Sequence, residues 1–162
     1  MRHSSASNDQ GFTILEAVVI VAIVGIFMAF SAPSYLAWSQ RKKVDSALTS
    51  IEGAMKEAQR QAIAKSLTCN VTLNTSTLKI TSTTSSSCLL TGDRELTSVA
   101  LATSGTTIDF DYLGNSSTEI TVVVSSSANP NFKKCLVLSK PLGLIRTGNY
   151  ADNGTSSSNC SK

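Results

Sequence analysis

Between Phe12 and Ala32 the chain reads FTILEAVVIVAIVGIFMAFSA, 21 residues in which Glu16 is the only charged side chain. As a helix this run rises about 32 Å, enough to cross the hydrocarbon core of a bilayer. A carboxylate in such a segment is costly unless it has a partner, so Glu16 is a functional candidate. The plainer alternative is an acid at the interfacial end of the run that reaches water. Residues 1–11 are polar, with Arg2 and Asp9 as their firm charges. That is a poor secretory signal: the apolar run exceeds an ordinary h-region and no small-x-small cleavage site follows it. The run is therefore expected to stay in the mature protein.

The helical pattern resumes after Pro33. Val44, Ala47, Leu48, Ile51, Met55, Ala58 and Ala62 recur at spacings of three and four, an apolar stripe on one helical face. Arg41, Lys42, Asp45, Glu52, Lys56, Glu57 and Arg60 are expected to point away from it. The spacing predicts one helix from Phe12 to about Lys65, roughly 80 Å long. Pro33 lacks a backbone donor and is expected to kink this helix or melt it locally. Gly25 is a second soft point or a close-packing spot.

Beyond Leu67 the period changes to two. CNVTLNTSTLKIT reads as a hairpin turning at Asn74 to Ser76, and TSTTSSSC as a flexible polar loop ending at Cys88. LTSVALAT reads as a strand. TTIDFDYLGNSSTEITVVVSS reads as two strands around a Gly114–Asn115 turn, and KKCLVLS and LGLIRTG as two last short strands. The tail after Gly148 has few apolar residues and is expected to be loose without Cys160.

Cys69, Cys88, Cys135 and Cys160 all follow the apolar run, and none forms a C-x-x-C pair. Zinc needs closely spaced soft ligands, so no metal is implied, and an even count reads as two disulfides in an oxidising compartment. Three pairings are open; the sequential one, Cys69–Cys88 with Cys135–Cys160, is favoured. Asp109 and Asp111 alternate on a strand and share a face. They read as two exposed acids in preference to calcium ligands. His3 is the only histidine, which removes Ser–His–Asp chemistry; no enzyme activity and no cofactor are expected.

Past Leu67 seven basic residues face six acids, so this part is nearly neutral. Locally, Lys133, Lys134, Lys140 and Arg146 follow one another with no acid between them. Four phosphate contacts would give weak, salt-dependent nucleic-acid binding, but there is no ladder of aromatics for stacking bases, and a solvated strand face is the plainer reading.

A Gly11–Phe12 junction after a short polar leader, then FTILE and an unbroken apolar run, resembles the type III signal of type IV prepilins and type II secretion pseudopilins. The resemblance implies that a prepilin peptidase cuts after Gly11 and methylates the new N-terminal Phe12. It also places Glu16 at the family's acidic position and Pro33 at its usual proline. The remainder is similar to the GspH/FimT group of minor pilins and pseudopilins, through VDSALTSIEGAMKEAQRQAI, TTIDFDYLG and CLVLSKPLGLIR. Gly143 and Arg146 match that group's final strand, but Leu144 stands where its first arginine would be. In some DNA-uptake minor pilins such paired arginines grip DNA.

The implied fold is α+β, type IV pilin-like: a long N-terminal α-helix, its first half transmembrane, packed on a small antiparallel β domain. The divisions are a leader at 1–11, a transmembrane and fibre-core half-helix at 12–32, an amphipathic half-helix at 33–66, and a β-rich domain with a disulfide-stapled tail at 67–162. Arg41, Lys42 and Lys43 after the run would by charge counting place the C-terminal side in the cytoplasm. The resemblance and the cysteines place it outside an inner membrane, and these are followed because the triplet lies on a helix that packs on protein. The implied function is a structural minor pilin of a type IV pilus, partnered through its N-terminal helix by other pilins. The alternatives are a minor pseudopilin of type II secretion and a DNA-binding tip pilin.

Overall fold

The computed structural model describes residues 12–82 and 88–161, and the side chains of all of these except 30–33. The leader at 1–11 and the polar stretch at 83–87 lie outside the described residues. Among the described residues a 52-residue helix, α1 (Ile14–Lys65), leads into nine strands. The chain divides into two units, Met1–Trp38 and Ser39–Lys162.

The first unit holds the N-terminal part of α1. Its start is fixed by Thr13, whose Oγ1 accepts from the Glu16 amide at 3.3 Å. T-x-x-E is the sequence form of a capping box, so the FTILE segment that looks like a processing signal also carries a helix start. From Phe12 to Met28 the large apolar side chains are all substantially exposed, from 44% at Val24 to 86% at Ile14. A helix apolar on every side has no stable home in water. Among the described residues no single helix is long and apolar enough to cross a membrane; Ile14–Ala29 and Ser34–Lys65 pass by length and composition only as a pair.

The second unit is built on the stripe. Val44, Ala47, Leu48, Ile51, Met55, Ala58 and Ala62 are buried, and Ala54 joins them. They face two antiparallel sheets. The first has four strands in the order β3-β2-β1-β5: β1 (Cys69–Asn74), β2 (Lys79–Ser82), β3 (Arg94–Glu95) and β5 (Thr107–Phe110). The second has five in the order β4-β6-β7-β8-β9: β4 (Val99–Thr103), β6 (Ile120–Ser126), β7 (Lys133–Ser139), β8 (Leu144–Tyr150) and β9 (Cys160–Ser161). Val71, Leu73, Ile80, Ile108 and Phe110 from one sheet and Ile120, Val122, Val124, Leu136 and Leu138 from the other close the core.

Several elements differ from their sequence pattern. The first hairpin turns later than Asn74–Ser76: the Asn74 side chain accepts from the amides of Ser76 and Thr77, and Leu78 takes a positive φ of 54° before β2 begins. LTSVALAT is strand only from Val99, because Ser98 sits at φ 61°. The two strands around Gly114 are not a hairpin: β5 pairs with β1, whereas β6 pairs with β4 and β7. Asp111 Oδ1 takes the amides of Leu113 and Asn115, both at 2.8 Å, and Asp109 Oδ2 takes that of Ser117 at 3.1 Å. These carboxylates occupy donors that a continuing ladder would use, and the chain crosses between sheets there.

Gln59 pins this crossover, its Nε2 donating to Gly114 O at 2.8 Å and Gly143 O at 3.3 Å. Both glycines have positive φ, 84° and 63°. A Cβ on Gly114 would meet Ile63 at 2.7 Å, and one on Gly143 would meet Gln59 and the Gly114 carbonyl oxygen at 2.8 Å. Gly is required at both places for conformation and for space.

Glu57 overturns its expected outward placement: it is 9% exposed. Its carboxylate accepts from the amides of Leu90 (2.7 Å) and Thr91 (3.3 Å) and pairs with the Arg94 guanidinium. Arg94 also donates to Ser50 O at 3.0 Å, passing the face of α1 at Gly53, where a Cβ would lie 2.9 Å from its Nη1. Cys88, bonded to Cys69, enters the same segment. The helix thus grips the Cys88–Glu95 return from two directions.

Removing one partner of a largely buried ion pair leaves the other uncompensated. Glu57→Ala is expected to cost about 3 kcal/mol, because it strands Arg94 and two amides together. Glu52→Ala, on an exposed i,i+4 pair with Lys56, is expected to cost under about 0.5 kcal/mol. Denaturant unfolding of the two variants should separate them clearly; equal costs would remove the clasp.

Candidate functional site

The residues offered as a processing and assembly site occupy the start of the chain. Gly11 lies outside the described residues. Phe12 is 74% exposed, and Glu16 sits in the first turn of α1, one turn beyond Phe12. A carboxylate there lies near the N-terminal end of the helix dipole. Pro33 lies within the span of α1, and its side chain is outside the described residues.

The basic residues Lys133, Lys134, Lys140 and Arg146 do not form one patch. Lys133 and Lys134 are neighbours on β7, so they point to opposite faces of the sheet. Lys134 turns to the helix and pairs with Asp45 at 2.7 Å. Lys133 turns to the outer face, where its Nζ donates to Asp152 O (3.1 Å) and Asn153 Oδ1 (2.8 Å). Arg146, paired in register with Val137, donates to the carbonyls of Ser157 (2.8 Å) and Cys160 (3.4 Å). Lys140 is exposed at the turn after β7. Leu144, where the resemblance called for arginine, is 62% exposed.

The outer face of the second sheet is covered, which the sequence had not indicated. Val123, Cys135, Val137, Tyr150 and Cys160 form a small second core under the C-terminal tail. Cys135 is bonded to Cys160, β9 pairs with Asn149 and Tyr150, and the Ser156 amide donates to the Tyr150 hydroxyl at 3.0 Å. The tail is therefore held by a strand pair, buried apolar area and hydrogen bonds in addition to the Cys135–Cys160 bridge. The apolar signal was carried by Tyr150 and by the unbroken ITVVV of β6, buried on both faces.

Asp109 and Asp111 are turn-forming residues of the crossover and not a free acidic face. Burial acts to raise the Asp111 carboxyl, but the amides of Asn115 and Leu113 outweigh it and hold the group below the usual carboxylate range. For Asp109 the same opposition is resolved downward by the Ser117 amide and the Ser117 and Thr118 side chains. Among the described residues no group of three or more His, Cys, Asp or Glu is arranged to hold a metal.

These features define a class. A long N-terminal helix, apolar at its start and packed by one face on antiparallel sheets at its end, is the type IV pilin-like α+β fold. Residues 6–32 match the prokaryotic N-terminal methylation motif. The fold is shared with the type IV minor pilin FimU of Pseudomonas aeruginosa (12% identity, TM-score 0.54, covering 67% of this chain and 90% of that one). It is shared also with the minor pseudopilin EpsH of the Vibrio cholerae type 2 secretion system (13% identity, TM-score 0.52, covering 64% and 94%). In sequence, fimbrial proteins of P. aeruginosa are 36% identical over 55 residues, 34% of this chain. The match spans about a third of the length of these curated relatives, 35%.

Two expectations follow. Each aspartate has a folded pKa below its unfolded value of about 4, so its contribution is present above pH 4 and is lost as pH falls through the folded value. Thermal melts of wild type and Asp111→Asn between neutral pH and pH 3 should show a smaller acid loss in the variant; equal slopes would remove Asp111 from the linkage. Because the four basic residues are dispersed and three are engaged, DNA retention should be weak and near wild type in Lys133→Ala and Arg146→Ala. Tight retention that either substitution abolishes would restore the nucleic-acid reading.

Proposed function

We propose that the chain is a minor structural subunit of a type IV pilus, held in the inner membrane by residues 12–32 with its C-terminal domain outside, and then drawn into or capping the fibre. The observation that carries this reading is the contrast between the two parts of α1. The N-terminal part bears a methylation motif and exposes apolar side chains on every side, whereas the later part satisfies its apolar face within its own domain. A subunit that passes from lipid into a helical fibre core needs that contrast. No catalytic step is required of it.

In this reading a prepilin peptidase cuts after Gly11 and methylates Phe12. The new amine lies one helical turn from Glu16. An unpaired carboxylate in an apolar fibre core is costly, and an ion pair with the amine of a neighbouring subunit offsets much of that cost. A height offset between subunits would leave the charge unmatched, so the pair sets register as well as attraction. Pro33 would give the helix a soft point between membrane and domain. A minor pseudopilin is the second reading, supported by the similar likeness to EpsH.

Glu16→Ala is expected to be cleaved and inserted but to enter fibres poorly, with Glu16→Asp intermediate because its side chain is shorter. Immunoblots of sheared fibres, with pull-down of partner subunits from detergent-solubilised membranes, measure this. Wild-type assembly by Glu16→Ala would reduce Glu16 to its capping-box position. Mature protein retaining Met1 in assembled fibres would remove the processing scheme altogether.

A further inference from the structure

Asn153–Gly154 is the one Asn–Gly pair in the sequence, and it lies on the tail that covers the second sheet. Residues 151–154 are exposed. Gly154 has φ 99°, and nothing lies within 4 Å of where its Cβ would be, so no side chain of its own or of a packed neighbour crowds this step of the backbone. On the other side of Asn153, Lys133 Nζ lies 2.8 Å from Oδ1 and also holds Asp152 O at 3.1 Å. An ammonium only donates, so the atom it meets is the side-chain carbonyl oxygen. The Asn153 amide is fixed by Asp152 Oδ1 at 2.7 Å, and Asp152 Oδ2 accepts from Asn159 at 2.8 Å, closing the tail loop on itself.

We propose that Asn153 is a self-modifying site, at which Lys133 polarises the side-chain carbonyl and the Gly154 backbone nitrogen attacks it. The bond formed is Gly154 N to Asn153 Cγ. The developing oxyanion on Oδ1 is met by the Lys133 ammonium, as a positioned cation meets charge in any acyl transfer. The Cγ–Nδ2 bond then breaks, and ammonia leaves with the proton lost from the Gly154 amide. The product is a cyclic imide. Water adds across one of its two C–N bonds, its hydroxyl going to carbon and its proton to nitrogen, to give aspartate or isoaspartate. No oxidant or other reagent is needed.

Geometry favours this asparagine over its fellows. Asn131, Asn149 and Asn159 precede Phe132, Tyr150 and Cys160, whose side chains crowd the following nitrogen, whereas Gly154 has none. The product places a carboxylate against Lys133 and beside Asp152. In the isoaspartate form it also adds a backbone atom to the loop closed by Cys135–Cys160. The consequence is a time-dependent charge change on the outer face of the second sheet, and it stands whatever fibre the chain enters.

The test uses the full chain in detergent, disulfides intact, held at mildly alkaline pH and sampled over days. Peptide mapping by mass spectrometry, with isoaspartyl methyltransferase labelling, reads conversion at every asparagine. Asn153 is expected to convert at least about tenfold faster than Asn131 or Asn149. Lys133→Ala should slow it about fivefold, the worth of one solvent-exposed hydrogen bond, and Lys133→Arg should restore most of the rate. Conversion of Asn153 no faster than the other asparagines would overturn the site. Faster conversion in Lys133→Ala would show that the lysine restrains the amide and would overturn its assigned part.

Discussion

The packing of one helical face on two sheets is the constraint on which the folded unit depends. Val44 to Ala62 present small and large apolar residues in alternation, and Ala47, Ala54, Ala58 and Ala62 let the sheets approach where Leu48, Ile51 and Met55 fill the space between. Each fully buried Leu, Ile or Met contributes about 2 kcal/mol relative to exposure, so the stripe outweighs any single polar contact. Yet burial is non-directional. It says that sheets will cover the face, not which loops return where. The polar residues beside the stripe do that. Glu57 fixes the Cys88–Glu95 return, Gln59 fixes the Gly114 and Gly143 turns, and Asp45 fixes β7 through Lys134.

That division explains what was legible in the sequence. The stripe, the start of the β region and the last hairpin were carried by periodicity, which is a property of local residues. Glu57 stands among the charged Glu52, Lys56 and Arg60, a pattern that reads as solvated, and the partners that compensate its burial, Arg94 at 37 residues on and the amides of Leu90 and Thr91, are all tertiary. The crossover after β5 was read as a hairpin because Gly114 is a turn residue in either case. The sign that it was not a hairpin lay in D-x-D before the glycine, two short acceptors able to take backbone amides for themselves. The basic residues clustered in sequence but separated in space, since adjacent strand positions face opposite sides.

The tail illustrates the limit of composition. Beyond Gly148 it is mostly Ser, Asn, Asp and Gly, and composition alone gives it no core. Five residues supply one: Tyr150 and Cys160 of the tail and, beneath them, Val123, Cys135 and Val137 on strands of the second sheet, where β6 is buried on both faces. Arg146 and Lys133, offered by sequence as a phosphate-binding surface, are used as donors to tail carbonyls. A charged side chain whose hydrogen bonds are already spent on neutral acceptors keeps its charge but has lost the freedom to follow a flexible polyanion.

At the other end of the chain, two demands meet on one short segment. Thr13 and Glu16 stand in capping-box spacing, and the Thr13 hydroxyl accepts the Glu16 amide. The same acid sits one turn from the amine that cleavage after Gly11 would create. These roles reinforce each other. A cap holds the first turn helical, and a helical first turn fixes how far the carboxylate stands from Phe12; a frayed start would let the distance wander and weaken any register that depends on it. Thr13→Ala therefore separates the two contributions, since it removes the cap and keeps the charge. If the position of Glu16 matters beyond its charge, loss of the Thr13 hydroxyl should lower assembly without touching cleavage, by an amount smaller than loss of the acid itself.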